Sequence, residues 1–295
     1  GQTGSGKTWT CFGPPGVKAK ARHDRGLVIR ACEEVFEAVR RRETLGIASR
    51  IYVSYVEVYG NEVSDLLRDG TPVGHNKVSA QRYVMSGQAK QPVSSIADID
   101  AALARGDAQK RKAATAMNDR SSRAHALFVL SMDMDNVETG VTLSSQMILA
   151  DLGGSEQVKR SKVHHGGYDE ETGTALGFQL GAHMREAVNI NLGLLALKKC
   201  ISALNEGASY VPYQDSKLTM LLSPAIGGDS KATVMVCCSK ADDDSVETLQ
   251  ALRFGEKCST VQNAAGVNSS AIQDIIAAMD KEIADLESTI KRKER

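Results

Sequence analysis

The stretch GQTGSGKT, Gly1 to Thr8, limits what this chain can fold into more than any other part of it. Its spacing is G-x-x-x-x-G-K-[ST], the pattern of a tight loop hung between a buried strand and a helix. Glycines let the backbone N–H groups of such a loop converge on phosphate oxygens. The lysine then meets the β- and γ-phosphates, and the Ser or Thr hydroxyl meets Mg2+. Gly1, Gln2, Thr3, Gly4, Ser5, Gly6, Lys7 and Thr8 are therefore expected to bind nucleotide phosphate. The competing account is a flexible glycine-rich terminus, which would need no partner motif elsewhere in the chain. Because the loop stands at the first residue, the strand that feeds it is expected to be missing, and the chain reads as a fragment.

The chain has 295 residues, ample for a buried core in one large domain or two ordinary ones. It is 42% hydrophobic and 24% charged, the make-up of a soluble globular protein. Aromatic residues are only 4%, so the core must rest on Leu, Ile, Val, Ala and Met. The 36 Lys and Arg cancel the 36 Asp and Glu, which excludes a whole-protein basic field for nucleic acid and leaves room only for a local basic face. No apolar run reaches about 18 residues, so no membrane span is expected. Cys11, Cys32, Cys200, Cys237, Cys238 and Cys258 form no C-x-x-C and no zinc spacing, and they read as reduced thiols of a cytoplasmic protein.

Periodicity predicts a helix or tight turn at Thr8 to Thr10, broken by Gly13-Pro14-Pro15-Gly16, and a helix over Leu27 to Arg42. Strands are expected at Ile51 to Gly60, Ala126 to Asp133 and Val141 to Leu152, with a buried strand at Ala232 to Ser239. Helices are expected from Ile99 to Ala114, Arg185 to Leu204 and Ser245 to Val261, with a glycine-rich loop over Gly166 to Gly181. The alternation predicts an α/β fold with a mixed central sheet. In the tail, Ile272, Ile276, Met279, Ile283, Leu286 and Ile290 step by 4, 3, 4, 3 and 4 behind a Ser270-x-x-Gln273 capping box. This heptad seam reads as the start of a coiled coil, the alternative being one amphipathic helix packed on the domain.

Two further motifs carry chemistry. DLGGSE, Asp151 to Glu156, follows an apolar strand, where an open α/β sheet places its ligands. A strand-end Asp can hold Mg2+ through water, and the following glycines free an amide, that of Gly154, to meet a γ-phosphate. NDRSSRAH, Asn118 to His125, sets adjacent hydroxyls and an Arg in a loop before a strand.

The order and spacing of GQTGSGKT, NDRSSRAH and DLGGSE resemble the kinesin motor domain. YVSYVEVYGNEVSDLL, EAVNINLGLLALKKCISAL, YVPYQDSKLTMLL and ETLQALRFGEKCSTVQN extend the resemblance over residues 1 to 268. The resemblance implies a three-layer P-loop NTPase domain with a mixed central sheet flanked by helices, lacking its first strands. It divides the chain into a motor over 1–262, a neck-linker-like segment over 263–269 and a stalk helix over 270–295. Asn118, Ser121, Ser122, Arg123 and His125 match switch I; Asp151, Gly154 and Glu156 match switch II. Thr8, Ser122 and Asp151 are the implied Mg2+ group, and Arg123 with Glu156 the pair that closes on ATP. The implied function is a microtubule-stimulated ATPase motor, plus-end directed because Val267-Asn268 resembles the neck-linker latch. Its implied partners are tubulin, through the helix of switch II and the Tyr213 and Lys217 region, and a second copy through the heptads. Cargo is not implied by any motif.

The sequence also departs from the family pattern. Ala124 replaces a switch-I Ser, Gly153 replaces an Ala, and Gly193 sits inside a helix at a cost of about 1 kcal/mol against Ala. Gln214 and Met220 stand where the pattern has Arg, which weakens the encounter with an acidic track. The loop Gln157 to Met184 is enlarged; its His164 and His165, with His183, read as solvated loop residues rather than a metal site. These departures support a second reading, a nucleotide-gated microtubule scaffold that does not step. With its first strands missing, the chain is expected not to fold into an active motor by itself.

Overall fold

The computed structural model of the chain describes residues 1–14, 24–77, 83–116, 124–136, 142–156 and 192–264. Asn118, Ser121, Ser122, Arg123, the enlarged loop and the heptad tail lie outside the described residues.

The sheet is built from β1 (Ile47–Tyr59), β2 (Glu62–Asp65), β3 (Thr71–Pro72), β6 (Gln91–Val93), β7 (His125–Asn136) and β8 (Thr142–Asp151). Its order is β3-β2-β1-β7-β8, with β6 also pairing β1. A separate hairpin joins β4 (Gly74–Lys77) to β5 (Tyr83–Ser86). The ladders among the described residues are antiparallel. Register decides what the site can contain: Ala126 pairs with Asp151, so the start of β7 and the end of β8 lie at one edge of the sheet.

β1 is buried on both faces, as its run of Val, Tyr and Ile demands. Ile51, Val53 and Tyr55 face one side and pack with α2 (Leu27–Glu43) and α3 (Ile96–Ala116). Val28, Ile29, Cys32, Phe36 and Val39 form the buried stripe of α2, and Arg40, Arg41 and Arg42 meet the negative end of its dipole. At the start of α3, Ser95 and Asp98 cap each other: the Ser95 N–H donates to Asp98 Oδ2 at 2.9 Å and the Asp98 N–H to Ser95 Oγ at 3.3 Å.

The opposite face of β1, with Val56 and Val58, packs together with Leu127 of β7 on Leu218, Leu221 and Leu222 of α5 (Lys217–Leu222). Beyond it, Leu194, Leu197 and Ile201 of α4 (Leu192–Asn205) gather Leu152 and Phe254, the latter from α6 (Ser245–Ser259). The result is helices, sheet, helices: the expected three-layer α/β domain. All six cysteines are free thiols, Cys32 and Cys200 buried.

One expected strand is corrected. Ala232 to Ser239 forms none. Val234 and Met235 are 55% and 53% exposed, and the stretch has no ladder partner among the described residues. β-branched composition specifies a strand only when a neighbouring edge is there to pair with. Other bounds shift both ways: β8 stops at Asp151 and the last helix at Ser259, short of Leu152 and Val261, while β1 starts at Ile47 rather than Ile51, because its first residues pair with Asp133 to Asn136 at the end of β7.

Tyr55 is the pivot of the first core. Its ring lies 5.7 Å from Phe12 and 5.8 Å from Phe128, and a Cβ at Gly106 of α3 would run into it. Gly106→Ala is therefore expected to destabilise the fold by roughly 1–3 kcal/mol through overpacking, although Ala is the better helix former. A urea midpoint equal to or above that of the unsubstituted protein would show that the ring yields.

Candidate functional site

α1 (Lys7–Phe12) begins directly after the glycine loop. Gly4 and Gly6 have φ of +83° and +95°, a left-handed backbone that a side chain would strain. They let the loop fold on itself. The Ser5 N–H donates to the Gln2 carbonyl at 3.2 Å, and Lys7 Nζ donates to the carbonyls of Gly1 and Gln2 at 2.8 and 2.7 Å. Lys7 thus lies across the hollow of its own loop. Burial lowers its pKa, against the opposing charges of Glu156 and Asp151.

Thr8 Oγ1 donates to Asp151 Oδ2 at 2.6 Å, joining the first turn of α1 to the end of β8. Burial raises the pKa of Asp151, opposed by the Thr8 hydrogen bond and by the charges of Lys110 and Lys7. Its other oxygen, Oδ1, is buried without a hydrogen-bond partner, as is Gln2 Oε1. A hydroxyl beside a carboxylate with an unused buried oxygen is a donor set that suits a hard, oxygen-seeking cation completed by water and phosphate. No cluster of three or more His, Cys, Asp or Glu that could hold a metal exists among the described residues. The residues therefore fit Mg2+ carried in with a nucleotide, not a protein-only metal cage.

The loop after Asp151 closes over the phosphate loop. The Ser155 N–H donates to the Gly1 carbonyl at 3.1 Å. The Thr3 N–H donates to Glu156 Oε2 at 2.9 Å and the Thr3 hydroxyl donates to Oε1. Burial alone would raise the pKa of Glu156, but the hydrogen bonds from Thr3 and its own backbone, with the charge of Lys7, hold it below its usual value. Two of the expected residues, Gly154 and Glu156, therefore stand at the mouth of the loop, with Glu156 folded back over the Gly154 α-carbon.

Two contributors go beyond the sequence reading, which places His125 in switch I without naming its contact and gives Lys110 no role. His125, at the start of β7, accepts a hydrogen bond from the Gly153 N–H at 3.0 Å through Nδ1. Lys110 of α3 lies 4.8 and 5.0 Å from the Phe12 and Tyr55 ring centroids and donates to Tyr55 Oη at 2.5 Å, tying α3 to the end of α1. A His opening a strand beside a glycine turn was a legible signal; a Lys on a helix was not.

On the opposite face, α4 exposes Leu195, Lys198 and Lys199. Lys199 pairs with Asp215 at 3.2 Å in the short turn Tyr213–Asp215 that leads into α5. Tyr213 Oη donates to the Ile226 carbonyl at 2.5 Å, and Gln214 is exposed. Tyr213 and Lys217 are thus grouped with α4, away from the phosphate loop.

A phosphate loop, a strand-end carboxylate and a following Gly-Gly-Ser-Glu loop now occupy one sheet edge, and the sequence profile of the kinesin motor domain matches residues 1–261. The chain belongs to the kinesin motor-domain family. It is 35% identical to the kinesin heavy chain of Neurospora crassa over 298 aligned positions, covering 98% of this chain and 30% of that one. It is 36% identical to kinesin heavy chain isoform 5A of Rattus norvegicus, covering 91% of this chain and 24% of the relative. The chain thus spans about a third or less of these relatives' length. A solved structure of a fast kinesin superposes with a TM-score of 0.75 at 35% identity, over 91% of this chain and 71% of the other. No described helix of this kinesin-family chain is long and apolar enough to cross a membrane.

The buried His125 gives the kinesin fold a pH signature. Burial pushes its pKa down from 6.5 to about 4. Between those values the unfolded chain holds the extra proton and the folded chain does not, so stability falls as pH drops from about 6.5 to about 4. The loss is on the order of 3 kcal/mol at the bottom of the window. Urea midpoints measured from pH 7 to pH 4.5 are expected to fall less steeply for His125→Asn than for the unsubstituted protein; parallel curves would assign the acid sensitivity to other groups.

Proposed function

We propose that this kinesin-family chain is the nucleotide-hydrolysing part of a microtubule motor that couples ATP binding and hydrolysis to movement, plus-end directed. The observation that carries this reading is the contact between Thr8 and Asp151, which joins phosphate loop and strand-end carboxylate across 143 positions of sequence. Phosphoryl transfer needs positioning and charge stabilisation more than covalent chemistry. In this reading the amides of Gly1 to Thr8 cradle the phosphates, and Lys7 leaves the Gly1 and Gln2 carbonyls to meet the β- and γ-phosphates. Thr8, Ser122 and Asp151 hold Mg2+, which when bound neutralises charge on the transferring phosphate. Asn118, Ser121, Ser122 and Arg123 approach from switch I. The Gly154 amide meets the γ-phosphate, and Glu156 exchanges Thr3 for Arg123 when the two loops close and trap water.

The γ-phosphate is the only difference between ATP and ADP, so contacts with it report the nucleotide state to α4. That helix, with Tyr213 and Lys217, is the proposed tubulin face, and the exposed Lys198 offers a cation to an acidic track. Dimerisation through the heptads and a microtubule-associated, cytoplasmic setting complete the reading. The second reading, a nucleotide-gated scaffold that does not step, is favoured by exposed Gln214 and by Met220, which leave this face poorer in cations.

In the full-length protein, phosphate release from Mg·ATP is expected to rise on adding microtubules, and Lys7→Ala to lower it by roughly a hundredfold or more. A rate indifferent to microtubules sinks the motor reading. Single-molecule tracking separates motor from scaffold: directed runs support the first, static or diffusive binding the second.

A further inference from the structure

His125 sits between the loop that follows Asp151 and the helix α4, and touches both. The side chain is 3% exposed. On one side Nδ1 accepts the Gly153 N–H at 3.0 Å, so the proton of the neutral ring is on Nε2. On the other side Nε2 faces Gly193, where a Cβ would stand 3.1 Å from it and 3.3 Å from a Leu218 methyl. Glycine weakens a helix relative to alanine, and Gly193 is buried among Leu194, Ala196 and Leu197, where a larger apolar residue would be the ordinary choice. Its one evident use here is to let the helix backbone lie against the imidazole. One ring is therefore all that separates the Gly153 amide from α4. The same loop is held a second time two residues on, where the Ser155 N–H donates to the Gly1 carbonyl at 3.1 Å. Gly154 lies between these two pins.

We propose that His125 is a positioning residue: it fixes the height of the Gly153–Gly154 turn against the phosphate loop, and the missing side chain at Gly193 is the space that lets α4 bear on its ring. This inference rests on the reading that the Gly154 amide senses the terminal phosphate. Displacing the ring from either side moves the turn, so the phosphate-sensing amide and the helix on the far side share one contact.

Two amides distinguish the ring nitrogens. Asn carries its carbonyl oxygen where Nδ1 stands; Gln reaches to the place of Nε2 and leaves the Gly153 N–H without an acceptor. The measurement is the ratio of dissociation constants for Mg·ADP and a magnesium complex of a non-hydrolysable ATP analogue, titrated against full-length protein, with thermal midpoints recorded alongside. His125→Gln is expected to lose roughly tenfold in preference for the ATP analogue, the cost of a buried donor left unmade. His125→Asn is expected to keep the preference. Gly193→Ala is expected to behave like His125→Gln, although helix propensity alone predicts an improvement. Asn and Gln variants that behave alike, or Gly193→Ala with the preference intact, would overturn the proposal. If His125→Gln does not fold, Gly193→Ala is compared with its combination with His125→Asn: the shorter amide makes room for the methyl and should restore the preference, and failure to restore it overturns the proposal. An unsubstituted protein that binds neither nucleotide removes the ATP reading and this inference with it. Normal binding with unaffected variants removes this inference alone.

Discussion

The hydrogen bond between Thr8 and Asp151 is the point on which the candidate site depends. It joins a six-residue helix to the end of a ten-residue strand. Neither element could hold its functional group in place alone. An isolated helix as short as α1 is unstable in water, and a strand-end carboxylate left buried without a donor would pay the full cost of desolvation. Each supplies what the other lacks. The hydroxyl satisfies one carboxylate oxygen, and the strand, paired along its length with β7, gives the helix a fixed origin.

The rigidity behind that origin comes from β1. Its odd-numbered side chains fill the core under α2 and α3, and its even-numbered ones the core over α5. A strand buried on both faces cannot slip by one residue without exchanging the contents of two cores. β7 inherits its register from β1 over twelve paired positions, and β8 inherits it from β7. The place of Asp151 is thus set by apolar packing far from any phosphate. Lys110 adds a lateral tie: with its cation against Phe12 and Tyr55, it fixes α3 to the end of α1.

Much of this was legible in the sequence. The glycine loop, the Asp at a strand end, the strands on either side of the sheet centre and the helix at Leu27 each have a local signal, because each is specified by its own residues. Ala232 to Ser239 was misread for the converse reason: a strand is a property of a pair, and composition reports only one member. The cost assigned to Gly193 was likewise half the account. Its propensity penalty is local and readable; the imidazole it accommodates comes from position 125, and no pattern within the helix announces it. Thr3 and Glu156 show the same limit, since two residues 153 positions apart meet only after the sheet has formed.

Glu156 shows how such a site can be poised rather than merely assembled. Its carboxylate accepts both the amide and the hydroxyl of Thr3, so the phosphate loop already binds an anion, one that the protein itself supplies. Lys7 in turn satisfies its ammonium on two carbonyls of the same loop. Charged groups at a phosphate site cannot remain unpaired without large desolvation costs, and here each has an internal substitute for the ligand. Binding a phosphate is then an exchange of partners rather than a gain of new ones. In the proposed reading Lys7 trades carbonyls for phosphate oxygens, and Glu156 leaves Thr3 for another donor. In that reading the matching donor is Arg123, so the movement that admits nucleotide and the movement that closes the switches would be one displacement of a single carboxylate.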